Sequence, residues 1–236
     1  KGFQQKEGID YNETFAPTVR LSSIRSVLSF AAANSWKIPQ ADVNTAFLYA
    51  TLTEEIYMQV PEGIYLIKDT DCHPSPSQIH EAKLQSRPVV AQLLRALYGL
   101  KQAPREWYKE LTRILQQLGF TPCYNDPGVY TRYLQSIIDC ILLVYVDDIL
   151  ILSPNQDTVH QLKKDFGEHV QIKDLQQCKQ ILGIQVDYSN NGITLSQPTL
   201  LQQLLHNTGM ANAAPVSCPM QQSYYQSRTS LLQDTN

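Results

Sequence analysis

The sequence predicts an α+β fold: a largely antiparallel sheet with helices on one face. Three observations carry this. A nearly continuous apolar run, Ile137 to Leu152, is interrupted only by Asp139 and by the pair Asp147-Asp148, which suits two buried strands joined by a tight turn. A second strand pair, Ile181 to Tyr188 and Ile193 to Leu195, is joined through Ser189-Asn190-Asn191-Gly192. Between and around these, apolar residues recur at helical spacing, and hairpins interleaved with helices point to this class.

The elements follow in order. Residues 1 to 18 are polar and turn-rich, with Gly2, Gly8 and Pro17. Leu21, Ile24, Leu28 and Ala31 mark a helix from Leu21 to Ala33, closed by Asn34. Trp36 to Val43 reads as a strand, Ala46 to Tyr49 as a helical turn, and Ile56 to Val60 as a strand stopped by Pro61-Glu62-Gly63. Residues 64 to 88 are the least regular, and Asp69 to Pro76, with two prolines, is expected to be an exposed loop. Arg87 to Leu97 is predicted to be helical, ending near Gly99. Pro104 suits the first turn of the next helix, which carries Trp107, Leu111, Ile114, Leu115 and Leu118 on one side and stops at Gly119. Val129 to Tyr133 is a strand before the acidic hairpin. Asn155 is the expected N-cap of a helix carrying Val159, Leu162 and Phe166. Pro198 to Asn207 is a final amphipathic helix with Leu200, Leu201, Leu204 and Leu205.

Composition narrows the class. The chain has 236 residues, 43% hydrophobic and 17% charged, which is enough for one large domain or two lobes with real cores and excludes a disordered chain. The formal net charge of −3 lacks the basic excess common in nucleic-acid binders, although a local groove and bound cations can supply positive charge. Cys72, Cys123, Cys140, Cys178 and Cys218 form no CxxC pair, so neither a disulfide framework nor a zinc site is expected, and a reducing compartment fits. The longest apolar stretch is too polar to span a membrane, and the first residue is Lys1, so the chain is expected to be part of a longer protein.

The acidic turn breaks a local rule. Two-residue hairpin turns favour Asn-Gly or Asp-Gly because they require positive φ, yet the tip here is Val146-Asp147-Asp148 with no glycine. Rules broken where they are easy to keep tend to mark function. Two adjacent carboxylates repel unless a cation lies near, and no Lys or Arg falls between Asp139 and Lys163. A Mg²⁺ ion, which takes one or two carboxylates plus phosphate oxygens, is the natural partner, and in-line displacement at phosphorus is the chemistry two such ions serve. The bland alternative is a solvated acidic turn. Asp42, at the end of the Trp36 to Val43 strand, is the best third carboxylate; its alternative reading is a helix N-cap.

These residues carry a resemblance. Tyr145-Val146-Asp147-Asp148 reads YVDD, and it stands among KGFQQKEGIDYNETFAPTVRLSSIRSVL (1–28), ADVNTAFLYATLTEEIYMQVPEG (41–63), ALYGLKQAPREWY (96–108), LVYVDDILIL (143–152), QILGIQV (180–186) and APVSCPM (214–220). In this order the blocks resemble the reverse transcriptase of copia-type LTR retrotransposons and cover nearly the whole chain. The resemblance implies a right-hand polymerase fold: fingers (mostly 1–17 and 50–105), a ferredoxin-like palm carrying the YVDD hairpin (mostly 18–49 and 106–195) and the start of a thumb (196–236). It implies RNA- and DNA-directed DNA synthesis from dNTPs on a primer 3′-OH. Two Mg²⁺ ions, or Mn²⁺, would be held by Asp42, Asp147, Asp148 and the Val43 carbonyl. Phe47 falls at the steric-gate position against a 2′-OH, and Gln102 at the motif position that touches the incoming nucleotide. Tyr145, Val146, Leu182 and Gly183 would contact the primer. From spacing alone Phe47 is a core aromatic, Gln102 a polar loop residue and Gly183 a bulge.

The implied partners are an RNA template, a DNA primer-template, dNTPs, and RNase H and integrase segments of a parent Pol polyprotein, with no membrane. The implied location is a cytoplasmic virus-like particle, or the nucleus. The sequence departs from the family in reading DVNTAF, with Asn44 for Lys, and in the stretch 64 to 90; further fingers sequence is expected before KGF. Two other readings stay open at this point. A palm-fold nucleotide cyclase would need neither LKQAP nor a primer grip, and a degenerate transposon remnant would fold without polymerising.

Overall fold

The computed structural model describes residues 2–61, 76–85, 90–190 and 192–217. Its elements are α1 (Leu21–Ala33), β1 (Pro39–Val43), β2 (Thr51–Gln59), α2 (Pro76–Leu84), β3 (Val90–Arg95), α3 (Ala103–Gln117), β4 (Thr121–Pro122), β5 (Val129–Leu134), β6 (Ile137–Tyr145), β7 (Asp148–Leu152), α4 (Gln156–Gly167), β8 (Ile172–Gln177), β9 (Gln180–Ile181), β10 (Ile184–Ser189), β11 (Gly192–Ser196) and α5 (Pro198–Asn207). A 3₁₀ turn covers Ala46–Tyr49. The chain divides into two compact units, Lys1–Ile181 with Val186–Thr194, and Leu182–Gln185 with Leu195–Asn236.

The first unit is built on a six-stranded antiparallel sheet ordered β4-β5-β6-β7-β1-β8. Its centre is the apolar hairpin β6–β7, with Leu143 opposite Leu150 and Val144 opposite Ile149. Alternation sends Leu142, Val144, Ile149 and Ile151 to one face, where they join Trp107, Leu111, Ile114 and Leu115 of α3 and Val159, Leu162 and Phe166 of α4 in one buried cluster. The hairpin-rich order predicts a one-sided sheet, and here the structure differs. Leu143, Leu150, Leu152 and Ile38, of the opposite parity, are fully buried too, as are Ile24, Leu28 and Ala31 of α1. Strands covered on both faces must be apolar at every position, which is why β6 and β7 read as continuous hydrophobic runs.

Several elements match their local signals. Asn34 closes α1, its N–H donating to the Ala32 and Phe30 carbonyls. The Asn155 carboxamide caps α4 by accepting the Asp157 N–H at 2.9 Å. Gly119, at φ 85°, ends α3 in the left-handed region that glycine adopts at little cost. One element is a correction: the segment predicted to be a helix from Arg87 to Leu97 is instead strand β3 where it is described. It pairs antiparallel with β2, Tyr57 opposite Gln92 and Met58 opposite Ala91, and exposes every second residue. The run Val90-Ala91-Gln92-Leu93-Leu94 suits either state by composition, and cross-strand pairing decides between them. Most of the expected loop Asp69 to Pro76 lies outside the described residues, as does Asn191 of the β10–β11 connection. α2 and the edge strand β8 were not expected.

In the second unit α5 has the predicted bounds, and Leu200, Leu201, Leu204 and Leu205 are all exposed. Among the described residues, Cys123, Cys140 and Cys178 are free thiols, and no helix is long and apolar enough to cross a membrane.

Candidate active site

The acidic turn is strained, as its sequence demands. Tyr145 pairs with Asp148, so Val146 and Asp147 form a two-residue turn. Val146 has φ 58°, a left-handed conformation that its branched Cβ disfavours. Two interactions hold it. The buried Trp107 indole N–H of α3 donates to the Val146 carbonyl at 2.8 Å. The Val43 N–H at the end of β1 donates to the Asp147 carbonyl at 2.9 Å. The strain is thus over-determined by neighbouring elements, which is the condition under which such conformations persist at functional sites.

The register of the sheet joins the third carboxylate to the pair. Strand β1 lies beside β7 with Asp42 directly opposite Asp148. Directly opposed residues share a face, with Cβ atoms about 4.5–5.5 Å apart. All three aspartates are half-buried at one end of β1, β6 and β7. On its other side Asp42 faces Lys173 of β8, a cation not expected from the sequence.

The electrostatics follow from this crowding. Burial, then the neighbouring Asp147, pushes the Asp42 carboxyl above its ordinary value, and Lys173 opposes the shift. Burial likewise raises Asp148, opposed by a hydrogen bond from Gln40, with Asp147 and Asp42 adding to the rise. The Gln40 amide nitrogen donates to Asp148 Oδ1 at 3.0 Å.

The donor set fits a hard divalent cation: carboxylate oxygens on adjacent strands, with mutual repulsion that a cation would relieve. Among the described residues no three His, Cys, Asp or Glu side chains converge as a closed ligand cluster. Mg²⁺ does not require one, because it takes one or two carboxylates and completes its shell with water and substrate phosphates.

The remaining predicted residues fall as follows. Phe47 sits in the 3₁₀ turn after β1, its ring 4.6 Å from that of Tyr98. Tyr145 is exposed beside the turn. Gln102 is fully buried. Its carbonyl accepts from the Gln5 amide and its own amide donates to the Asp10 carbonyl, both at 3.0 Å, so its side chain ties the N-terminal lead-in to α3 rather than facing solvent. Leu182 and Gly183 lie between β9 and β10 in the second unit, at φ 50° and 75°.

Four residues near the acids were not singled out for function from the sequence: Gln40, Tyr98, Trp107 and Lys173. Tyr98 is exposed overall, but partial burial of its hydroxyl and then the carboxylates of Asp147 and Asp42 push it above the ordinary tyrosine value. Its signal was a tyrosine inside the ALYGLKQAP block. Trp107 lies in the same ALYGLKQAPREWY block and carries a helix-core signal, whereas no local pattern announces Gln40 and Lys173.

The profile described as reverse transcriptase (RNA-dependent DNA polymerase) matches residues 1–222. The chain is 37% identical over 222 residues to the retrovirus-related Pol polyprotein from transposon TNT 1-94 of Nicotiana tabacum, covering 93% of this chain and 15% of that protein. It is 39% identical over 222 residues to the corresponding polyprotein from transposon RE1 of Arabidopsis thaliana, covering 93% of this chain and 14% of that one. The chain therefore spans about a seventh of the length of these relatives. A telomerase structure from Candida albicans aligns over 92% of this chain and 42% of its own, at 10% identity and a TM-score of 0.39, too low to equate the two folds. With a profile spanning nearly the whole chain and copia-type relatives at this identity, the chain belongs to the reverse transcriptase (RNA-dependent DNA polymerase) family.

Proposed function

We propose that this chain is the catalytic core of a retrotransposon reverse transcriptase, extending a primer 3′-OH with dNTPs on RNA and DNA templates, with Asp42, Asp147 and Asp148 as its metal-binding carboxylates. The observation that carries the reading is the β1–β7 register, which sets Asp42 opposite Asp148 beside a turn whose conformation is costly to maintain. In this reading β1, β5, β6 and β7 belong to the palm of a right hand, β2 and β3 to the fingers, and α5 to the start of the thumb.

Asp42, Asp147, Asp148 and the Val43 carbonyl would hold two Mg²⁺ ions, or Mn²⁺. When bound, such ions supply Lewis-acid activation of a hydroxyl and neutralise charge on a triphosphate and its pyrophosphate leaving group. The chain's own residues set the geometry. Trp107 and Val43 fix the backbone on which Asp147 and Asp148 are mounted. Phe47, braced by Tyr98, would exclude a 2′-OH from the nucleotide's sugar. Tyr145 and Val146 would meet the primer end, and Leu182 and Gly183 would grip it. A palm-fold cyclase is not favoured, because the family match covers residues 1–222.

Membership of a longer Pol polyprotein is supported by the relatives' names and by the small share of their length that this chain covers; RNase H and integrase segments in it are part of the proposal. Action in a cytoplasmic virus-like particle or the nucleus is proposed from the retrotransposon resemblance alone. The test is dNTP incorporation on poly(rA)/oligo(dT) with Mg²⁺, comparing the wild-type chain with Asp147→Asn. Incorporation lost in the variant supports the site. Equal incorporation in both refutes the assignment, and none in either, by this chain or by a longer Pol polypeptide that contains it, refutes polymerase activity for this chain.

A further inference from the structure

Among the described residues five polar or charged side chains are buried: Gln40, Gln102, Glu106, Asp126 and Ser153. Four have structural partners. Gln102 ties the lead-in, Glu106 pairs with Lys109, Asp126 accepts the Arg20 and Gly128 N–H groups, and Ser153 bonds the Asp139 carbonyl. Gln40 differs, because its hydrogen bond goes to a candidate metal ligand, Asp148.

Its position makes that choice informative. Gln40 is 6% exposed in β1, opposite the fully buried Leu150 and two residues from the fully buried Ile38. An apolar, β-branched residue would suit such a strand position better, and a primary amide buried there is costly unless hydrogen-bonded. Gln40 lies two residues before Asp42 on the same strand face. Asp42 is opposite Asp148, so Gln40 is the diagonal cross-strand neighbour of Asp148. That diagonal is about 7–8 Å, a span a long side chain bridges and a short one does not. The amide donates to Oδ1 and leaves Oδ2 unengaged by it.

We propose that Gln40 is a positioning residue that orients the Asp148 carboxylate for divalent-cation binding. The inference rests on the reading of Asp42, Asp147 and Asp148 as the metal site. By donating to one carboxylate oxygen, Gln40 fixes the plane of the group and offsets the repulsion from the two neighbouring acids. Outer partners of this kind typically govern ligand orientation and contribute about 10–100-fold to metal affinity.

The experiment measures Mn²⁺ binding to the purified chain, by the electron paramagnetic resonance signal of the free ion, for wild type, Gln40→Met, Gln40→Leu, Asp148→Asn and Ser153→Ala. Met and Leu both remove the donor and keep apolar bulk, so one variant that folds by near-ultraviolet circular dichroism suffices. Ser153→Ala deletes a comparable buried hydrogen bond away from the three acids and controls for general loosening. The expected result is Mn²⁺ affinity reduced by about tenfold in the Gln40 variants and further in Asp148→Asn, with Ser153→Ala like wild type. Wild-type affinity in a folded Gln40 variant, while Asp148→Asn is impaired, overturns the proposal and leaves the metal-site reading standing. Asp148→Asn binding like wild type overturns both. Equal loss in Ser153→Ala overturns it as well, because the effect would then be structural.

Discussion

The strained turn makes a quantitative prediction for Val146→Gly. Glycine adopts φ near 58° without the Cβ clash that costs an L-residue roughly 1–2 kcal/mol, and that strain is relieved. Two losses oppose the gain. Val146 is half-buried, and removing its side chain forfeits about 1 kcal/mol, roughly half the burial value of a fully covered valine. Glycine also costs about 0.5–1 kcal/mol in unfolded-state entropy. The net change is therefore within about 1 kcal/mol of zero. The comparison is Val144→Gly, two residues earlier in β6, where the valine is 5% exposed in regular strand. There no strain is relieved, and full burial plus the glycine cost sum to roughly 2–4 kcal/mol. Urea unfolding with matched m values would measure both. If Val146→Gly loses as much as Val144→Gly, the turn is not strained and the argument that function maintains a costly conformation fails.

Three further outcomes follow from the same geometry. Trp107→Phe keeps the aromatic packing but leaves the Val146 carbonyl without its indole donor, and should cost about 1–3 kcal/mol in urea unfolding; a double variant with Val146→Gly should be non-additive. Asp42 and Asp148 both have carboxyls raised in the fold, so their contribution to stability is present below the unfolded value near 3.8 and is lost as pH rises through the folded value. In EDTA at neutral pH, Asp42→Asn should therefore melt higher than wild type, while in a separate assay with Mg²⁺ it should abolish primer extension; a lower melting temperature contradicts the repulsion. Phe47→Ala should admit ribonucleotides, lowering dNTP over rNTP discrimination by at least about tenfold, or ~1.4 kcal/mol, in single-nucleotide extension.

What the sequence made legible has a physical pattern. The buried hairpin was readable because both faces of its central stretch are covered and Cys140–Val144 and Ile149–Leu152 are apolar throughout. α3, α4 and α5 were readable from helical periodicity with Pro104, Asn155 and Pro198 at their starts. β8 was not, because Ile172–Gln177 is a polar edge strand with five of six residues exposed, and its existence depends on pairing with β1. β3 was misread for a related reason: Ala91 and Leu93 are only partly covered, so alternation in the sequence is shallow and β2 supplies the decision.

The site divides along the same line. Asp147 and Asp148 declared themselves locally, because a glycine-free turn between buried strands violates a short-range rule. The residues that complete the site violate none. Asp42 reads as a plausible cap, Gln40 as an ordinary strand amide, Trp107 as a helix core residue and Lys173 as a surface charge. Asp42, Gln40 and Lys173 meet the acidic pair only when β1 is inserted between β7 and β8, a non-local pairing that brings residues 40 and 148 into hydrogen-bond contact, whereas Trp107 reaches the turn from α3. That insertion sets the acids against one another, and it brings Gln40 and Lys173 to bear on the same crowded charge from two sides. A carboxylate cluster held apart by its own strands, and eased by one amide and one ammonium, is poorly stabilised by the protein alone. In the proposed reading a cation from solution would stabilise it further, and the raised carboxyls of Asp42 and Asp148 are the electrostatic mark expected of such a site.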